Sequence, residues 1–169
     1  MDSLNLEFVK DKSNILPFNL WSGSDYSKTI HADRVNNNWF ACVGGLSRLE
    51  SVEEYSTNGV RSIKCNFINA NDYCEYHIYD FDETKSYTAS FEVYSENNRV
   101  YLQFLAICSE NRDLDVAKSV LAPAKTISKL TATLTKNELQ QYHTEIKIRC
   151  LASNPAIVYV DNWEVFEVE

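Results

Sequence analysis

The sequence predicts an all-β protein built as an antiparallel β-sandwich. Apolar and polar residues alternate with a period of two in most segments, and these segments recur about every ten residues with polar turns between them. Almost no part of the chain has the period of a helix. A chain of 169 residues is expected to form one domain with a core of its own.

The N-terminal part divides into an arm and the start of the sandwich. Residues 1–13 are predicted to form an N-terminal arm or an extra strand, because their alternating apolar residues end in the polar stretch DKSN. The sandwich domain is predicted to span residues 14–169. Ser22 to Asn38 is rich in Ser, Asp and Asn and predicts a long loop between Trp21 and Trp39. Long loops in compact domains often carry function.

Two strands are predicted in the next third of the chain. GVRSIKCNF is a half-buried strand, with SRLESVEEYSTNG before it as a short helix or a polar connection. YCEYHIY also alternates, but both of its faces carry aromatic residues. Its inward set is therefore either Cys74, Tyr76 and Ile78 or Tyr73, His77 and Tyr79.

The segment SYTASFEVYSENNRVYLQFLAIC predicts a β-hairpin, because two alternating arms flank a Glu-Asn-Asn turn. Hairpin partners share faces. Tyr101 and Gln103 are therefore expected on the same open face as Glu92 and Tyr94, where rings and hydrogen-bonding groups would stand side by side.

The C-terminal part predicts three more strands, in TISKLTATL, YHTEIKIRC and AIVYVDNWEVFEVE. The charged row His143, Glu145, Lys147 and Arg149 is interpreted as a solvated face. Asp161 and Asn162 interrupt the last strand and indicate a bulge or turn, since both side chains can bond their own backbone. Asp161 itself is either a polar kink at the sheet edge or a ligand of a structural cation.

Charge and hydropathy limit the partners. A formal net charge of −8, with acidic residues spread along the chain, argues against nucleic acid and anionic membranes. No apolar run reaches the length of a spanning helix, and the opening MDSLNLEFVK is acidic where a signal peptide is basic. Neutral ligands, cations and other proteins remain as expected partners.

The five cysteines stand singly, with no C-x-x-C pair. They are interpreted as small core residues in a reducing compartment rather than as bridges or nucleophiles, which indicates synthesis in the cytoplasm. The sequence has no G-x-S-x-G, H-E-x-x-H or glycine-rich phosphate loop, and no pair of carboxylates stands out for glycoside hydrolysis. The protein is therefore not expected to be an enzyme.

The chain carries NILPF near its start and YVDNW in its last predicted strand, with two alternating strands between them. In this order the motifs resemble the jelly-roll carbohydrate-binding modules of the galactose-binding-like superfamily, the type attached to xylanases and glucanases. NILPF resembles their Asn-Leu-Leu, Asn-Pro and Phe-Glu signature, and YVDNW echoes their terminal Tyr-Ile-Asp-Asp/Asn-Val. Two internal strands match as well. The matching segments are residues 14–18, 59–65, 87–94 and 159–163.

The resemblance implies a structural calcium ion and a glycan ligand. Asp161 would ligate calcium together with oxygens of the opening segment, where Asn19 stands in place of the family's frequent Glu and would give a weaker site. The family binds sugars on a sheet face or in loops at the sandwich edge. Candidate sugar-binding residues are Glu92, Tyr94, Tyr101 and Gln103 on strands, and Trp21, Tyr26 and Trp39 in loops.

Two functions follow as hypotheses. The first is a non-catalytic module that binds a polysaccharide through aromatic and polar residues. The alternative is a structural jelly-roll domain of a virion or surface appendage, with homo-oligomer or virion proteins as partners, because a fold alone does not fix function.

Overall fold

The structure is a computed structural model that describes residues 41–43, 48–57 and 62–168. The predicted arm, the long loop and the candidate residues Asn19, Trp21 and Trp39 lie outside the described residues. Within the described part of the chain, no helix is long and apolar enough to cross a membrane.

The described chain is made of ten strands and a single 3-10 turn at Arg112–Leu114. The strands are β1 Ala41–Val43, β2 Arg48–Val52, β3 Ser62–Phe67, β4 Tyr73–Ile78, β5 Ser86–Ser95, β6 Val100–Ile107, β7 Val116–Ala122, β8 Ser128–Leu134, β9 Glu145–Ala152 and β10 Ala156–Val168.

These strands form two five-stranded sheets in which the pairs are antiparallel. Sheet I has the order β1-β4-β9-β6-β7, and sheet II has the order β2-β3-β10-β5-β8. The predicted all-β sandwich is confirmed.

The core lies between the sheets and follows the period-two alternation of the strands. Among the described residues, Trp163 of β10 is the largest fully buried side chain of the core, and the centre of its ring lies 4.7 Å from that of Phe91. In β4 the inward set is Cys74, Tyr76 and Ile78, which resolves the alternative that the sequence left open. The outward set of that strand is thereby available to build a surface.

The interpretation of the cysteines as small core residues is confirmed for the four whose side chains are described. Cys65, Cys74, Cys108 and Cys150 are buried thiols that take part in no disulfide. The sulfurs of Cys65 and Cys74, which come from opposite sheets, lie 3.8 Å apart. They fill the core as small apolar side chains.

The predicted hairpin is wrong. β5 pairs with β10 and β8 in sheet II, whereas β6 pairs with β9 and β7 in sheet I. The segment between them crosses from one sheet to the other and is fixed to the β9–β10 connection, where Asn98 Nδ2 donates to the Pro155 carbonyl over 2.6 Å. Alternation decides which side of a strand is buried, but it does not decide which strand lies beside it.

The predicted interruption of the last strand is confirmed as a β-bulge. The register of β10 against β5 shifts between Asp161 and Glu164, and Asn162 has a positive φ of 59°. Asn tolerates this left-handed conformation better than most residues do. The bulge allows Asp161 to bond a neighbouring segment.

Candidate functional site

The outer face of sheet I carries an apolar row of side chains that crosses four strands. Successive register partners lie side by side in it, and two of the four are tyrosines. We call it the aromatic row; it consists of Tyr73, Leu151, Tyr101 and Leu121. Tyr73 and Tyr101 are half-buried and Leu121 is 46 % exposed, so the row forms part of the molecular surface.

A polar row, made of Glu75, Arg149, Gln103 and Ser119, runs directly beside the aromatic row. Arg149 Nε donates to Glu75 Oε1 over 2.8 Å, and Arg149 Nη1 donates to Gln103 Oε1 over 3.4 Å. Gln103 Nε2 in turn donates to Ser119 Oγ over 3.3 Å. The polar groups of four strands are thus connected and held in place before any ligand arrives.

Arg149 joins the two rows. Its guanidinium carbon lies 3.9 Å from the centre of the Tyr73 ring, which is the geometry of a cation–π contact. The same side chain pairs with Glu75 through Nη2 at 2.7 Å. Because Arg149 has partners on both sides, Tyr73 is oriented by the same network that orients Gln103.

Beyond the polar row the sheet I face carries a compact ion network around Glu75, which is only 3 % exposed. His77 Nε2 lies 2.6 Å from Glu75 Oε2, and His77 Nδ1 lies 2.9 Å from Glu145 Oε2. Lys147 Nζ lies 3.4 Å from Glu75. A buried carboxylate requires such partners, since an isolated buried charge is costly.

The interpretation of this charged row as a solvated face is therefore wrong. Glu145, Lys147 and Arg149 are 14, 12 and 17 % exposed, and each is ion-paired. His143 is a buried histidine elsewhere in the molecule. Its Nδ1 accepts from the Gln140 N–H over 3.0 Å and its Nε2 lies 2.9 Å from the Leu114 carbonyl, so it anchors the loop that leads into β9.

The outer face of sheet II carries a different feature, a cluster of the three tyrosines Tyr55, Tyr94 and Tyr159. Tyr55 stacks on Tyr94 with ring centres 3.9 Å apart and planes 10° from parallel. Its centre lies 4.8 Å from that of Tyr159. Burial of the Tyr159 ring and its hydrogen bond to Glu96 raise the pKa of its hydroxyl to about 12. We call this group the tyrosine cluster.

Glu92 lies on the same face of sheet II, next to the bulge of β10. Asn162 Nδ2 donates to Glu92 Oε1 over 2.9 Å. The four predicted strand residues are therefore divided between two opposite faces, with Glu92 and Tyr94 on sheet II and Tyr101 and Gln103 on sheet I. They do not form the single open face that the hairpin implied.

Asp161 is buried beneath the segment that carries Tyr55. Its Oδ2 accepts from the Thr57 N–H over 3.0 Å, and its Oδ1 accepts from the Asn162 N–H over 2.8 Å. A carboxylate oxygen has two lone pairs, so a cation ligand is compatible with these bonds. Among the described residues no three His, Cys, Asp or Glu side chains come together as a metal site, and Asn19 lies outside them. Calcium at Asp161 stays a prediction.

No protein-family model matches the sequence, and no curated protein sequence matches it. Solved structures match the fold. A CBM22-1 xylan-binding domain from Paenibacillus barcinonensis is 12 % identical with a TM-score of 0.67, over 83 % of this chain and 93 % of that one. A C-terminal family 22 carbohydrate-binding module from Clostridium thermocellum is 7 % identical with a TM-score of 0.63, over 89 % of this chain and 95 % of that one.

The CBM22-1 and GH10 modules of a Clostridium thermocellum xylanase, complexed with xylohexaose, are 15 % identical to the chain with a TM-score of 0.65. The match covers 80 % of this chain but only 27 % of that one. These likenesses confirm the predicted jelly-roll fold, the fold of carbohydrate-binding modules.

Sequence reasoning missed several residues of the two faces. Tyr73 belonged to one of the two possible inward sets of β4, so it was not predicted as a surface residue. Glu75 and Arg149 were not predicted as site residues because they are 74 positions apart in the sequence. Tyr55 lay in a segment interpreted as a helix or polar connection. The available signal was the aromatic content of YCEYHIY, which exceeds what a strand with one buried face needs.

Proposed function

We propose that this chain is a non-catalytic carbohydrate-binding module whose main site is the outer face of sheet I, and that it binds a neutral β-linked polysaccharide of the xylan type. The observation that carries the proposal is the aromatic row lying directly beside the hydrogen-bonded polar row. An aromatic ring packs against the apolar face of a pyranose, while fixed amides and charged groups bond its hydroxyls.

The preorganisation of the face supports binding. Gln103 and Arg149 are held by hydrogen bonds to neighbouring side chains, so little side-chain freedom is left to lose when a sugar arrives. The rows cross the strands β4, β9, β6 and β7, which gives the face an extended shape that suits a chain of sugars. The similar Paenibacillus barcinonensis domain binds xylan, and amino acids in the cleft of the similar Clostridium thermocellum module have a role in ligand binding.

The charges of the face support a neutral ligand and a non-catalytic role. Glu75 and Glu145 are both paired with cations of the same face. A glycoside hydrolase needs one carboxyl group kept protonated as the acid, typically by an apolar pocket. Neither Glu75 nor Glu145 lies in such an apolar pocket, because Lys147 Nζ is within 3.6 Å of a carboxylate oxygen of each.

The test is isothermal titration of the protein with xylohexaose, with cellohexaose as a second neutral probe. We expect Tyr101→Ala and Gln103→Ala each to weaken binding about tenfold or more, which is about 1.4 kcal/mol. Tyr142→Ala is the matched control, since Tyr142 is 45 % exposed and contacts His143 rather than either row.

Equal affinities for the wild type, Tyr101→Ala and Gln103→Ala would contradict this site. Absence of binding to either hexaose, together with concentration-dependent self-association in light scattering, would instead favour the structural-domain alternative.

A further inference from the structure

The tyrosine cluster on sheet II has no part in the site on sheet I, since the two lie on opposite outer faces of the sandwich. We infer that Tyr55, displayed on Tyr94, is a second glycan-binding platform that takes a single neutral pyranose residue by stacking. The inference shares with the proposed function only the class of ligand; the site and its residues are separate, and one titration can report on each site by its own amides.

The stacking geometry presents one ring face outward. Tyr94 covers one face of the Tyr55 ring, with the two ring centres 3.9 Å apart and the planes nearly parallel. The Tyr159 ring packs against Tyr55 at a tilt of 52°, with its centre 4.8 Å from that of Tyr55. Tyr159 is only 4 % exposed beneath it, while Tyr55 is 41 % exposed. A flat ring that is supported from behind and open in front is what stacking on a pyranose requires.

The backbone at Tyr55 is held in an unfavourable conformation. Its φ is +54°, in the left-handed region that a bulky side chain rarely occupies. Bonds on both sides fix it, because Ser62 Oγ donates to the Glu54 carbonyl over 2.5 Å and the Thr57 N–H donates to Asp161 over 3.0 Å. A strained residue that its surroundings hold in place is typical of a functional position.

The surroundings of the platform select the ligand's charge. Tyr159 donates its hydroxyl proton to Glu96 over 3.1 Å, and Glu92 lies on the same face as Tyr94. The pKa of Tyr55 is raised by a hydrogen bond between its hydroxyl and that of Tyr94, by burial, and by the nearby Glu96 and Glu54. Lys64 Nζ lies 6.0 Å from the centre of the Tyr159 ring, but the charges that act on the Tyr55 hydroxyl itself are those of Glu54 and Glu96. These two carboxylates repel an anionic sugar such as a uronic acid and accept hydrogen bonds from neutral hydroxyls.

The arrangement also argues against a quaternary ammonium ligand. Such cations are held in aromatic cages, whose ring faces surround one common point. In the tyrosine cluster the two principal rings are parallel and in contact, so only the outer face of Tyr55 is available. One ring face accommodates one sugar residue, whereas the extended sheet I face accommodates several.

The experiment is a titration of the isotopically labelled full chain with xylohexaose, cellohexaose and hexagalacturonate, followed by amide chemical shifts. We expect a neutral hexaose to shift two separate groups of amides, one around Tyr55, Tyr94 and Tyr159 and one around Tyr101 and Gln103. Tyr55→Ala should weaken the first response about tenfold or more and leave the second unchanged. Tyr55→Phe, which keeps the ring, should stay within about twofold of the wild type.

Tyr142→Ala is the control for removal of an exposed ring. If a neutral hexaose shifts only the sheet I amides, the platform at Tyr55 is overturned and the proposed function is supported. If it shifts only the amides around Tyr55, the platform is supported and the proposed sheet I site is overturned. Hexagalacturonate binding at Tyr55 more tightly than either neutral sugar would also overturn it, as would concentration-dependent shifts there without sugar. The mapping uses the wild-type chain, so the test holds even if Tyr55→Ala unfolds.

Discussion

The two outer faces of the sandwich both present tyrosines, but they hold them in different ways. On sheet I, Tyr73 and Tyr101 stand on regular strands, and a network of side chains from four strands orients the groups beside them. On sheet II, Tyr55 stands on a short segment that lies over the face, and hydrogen bonds of Glu54 and Thr57 tie this segment to β3 and β10. Strand pairing positions the tyrosines of sheet I, whereas hydrogen bonds to a connecting segment position Tyr55 on sheet II. Different substitutions should therefore abolish ligand binding at the two faces.

Removing the Asp161 carboxylate, which anchors the segment that carries Tyr55, should have the largest effect of the changes considered. The effect should fall on the sheet II face. In Asp161→Ala the N–H groups of Thr57 and Asn162 lose a buried charged acceptor, which we expect to lower the free energy of unfolding by about 3 to 5 kcal/mol. Urea denaturation measures this change. Asp161→Asn keeps one oxygen acceptor and should lose less.

In the surviving folded fraction of Asp161→Ala, xylohexaose should still shift the sheet I amides. If the sugar-induced shifts of the sheet I amides and of the amides around Tyr55 were lost to the same extent, the two faces would not be independent.

Calcium offers a way to strengthen the same anchor. If Asp161 ligates calcium, a hundredfold excess of the ion over its Kd stabilises the folded state by about 2.7 kcal/mol through mass action. The measurement is a thermal melt of the chelated protein with and without added calcium. A rise of Tm that persists unchanged in Asp161→Asn would rule out Asp161 as the ligand.

Removing the central charge of the ion network should act on sheet I. Glu75 is buried and contacts Arg149, Lys147 and His77, so Glu75→Gln, which keeps one oxygen acceptor, should lower the free energy of unfolding by about 2 kcal/mol. Xylohexaose affinity should fall as well, because Arg149 loses the partner that holds it over Tyr73. Urea denaturation and titration calorimetry measure the two effects.

Glu138→Gln is the matched control, because Glu138 also pairs with a lysine but is 27 % exposed, and surface pairs contribute less than about 1 kcal/mol. If Glu75→Gln and Glu138→Gln unfolded equally easily, the network around Glu75 would have no special role.

The smallest effect should come from a single hydroxyl of the tyrosine cluster. Tyr159→Phe removes the hydrogen bond to Glu96 and should cost about 1 kcal/mol near pH 7. The folded-state pKa of Tyr159, about 12, lies above its unfolded value of 10.0, so the folded state keeps a proton that the unfolded state releases. Stability is therefore full below pH 10 and falls as pH rises from 10 towards 12.

Tyr159→Phe should flatten this alkaline decline, which denaturation curves between pH 9 and 12 would measure. If the stability of Tyr159→Phe fell as steeply with pH as that of the wild type, groups other than Tyr159 would be responsible for the alkaline loss of stability.

The sequence by itself determined the local features of this protein. The period-two pattern placed Ile63, Phe91 and Leu102 in the core and predicted two-faced strands, because successive side chains of a strand point to opposite faces whatever its neighbour is. Asp161 and Asn162 predicted the bulge for an equally local reason, since such side chains bond nearby backbone groups.

Only the tertiary structure decided which strands lie side by side and which side chains meet. β5 and β6 adjoin in sequence yet lie in different sheets, so Tyr94 and Tyr101 belong to opposite faces. Glu75 and Arg149 are in contact although 74 positions separate them in the sequence. Tyr55 stacks on Tyr94 because its segment lies over the outer face of sheet II. Strand pairing depends on the sum of many distant contacts, and a short window of sequence carries none of that information.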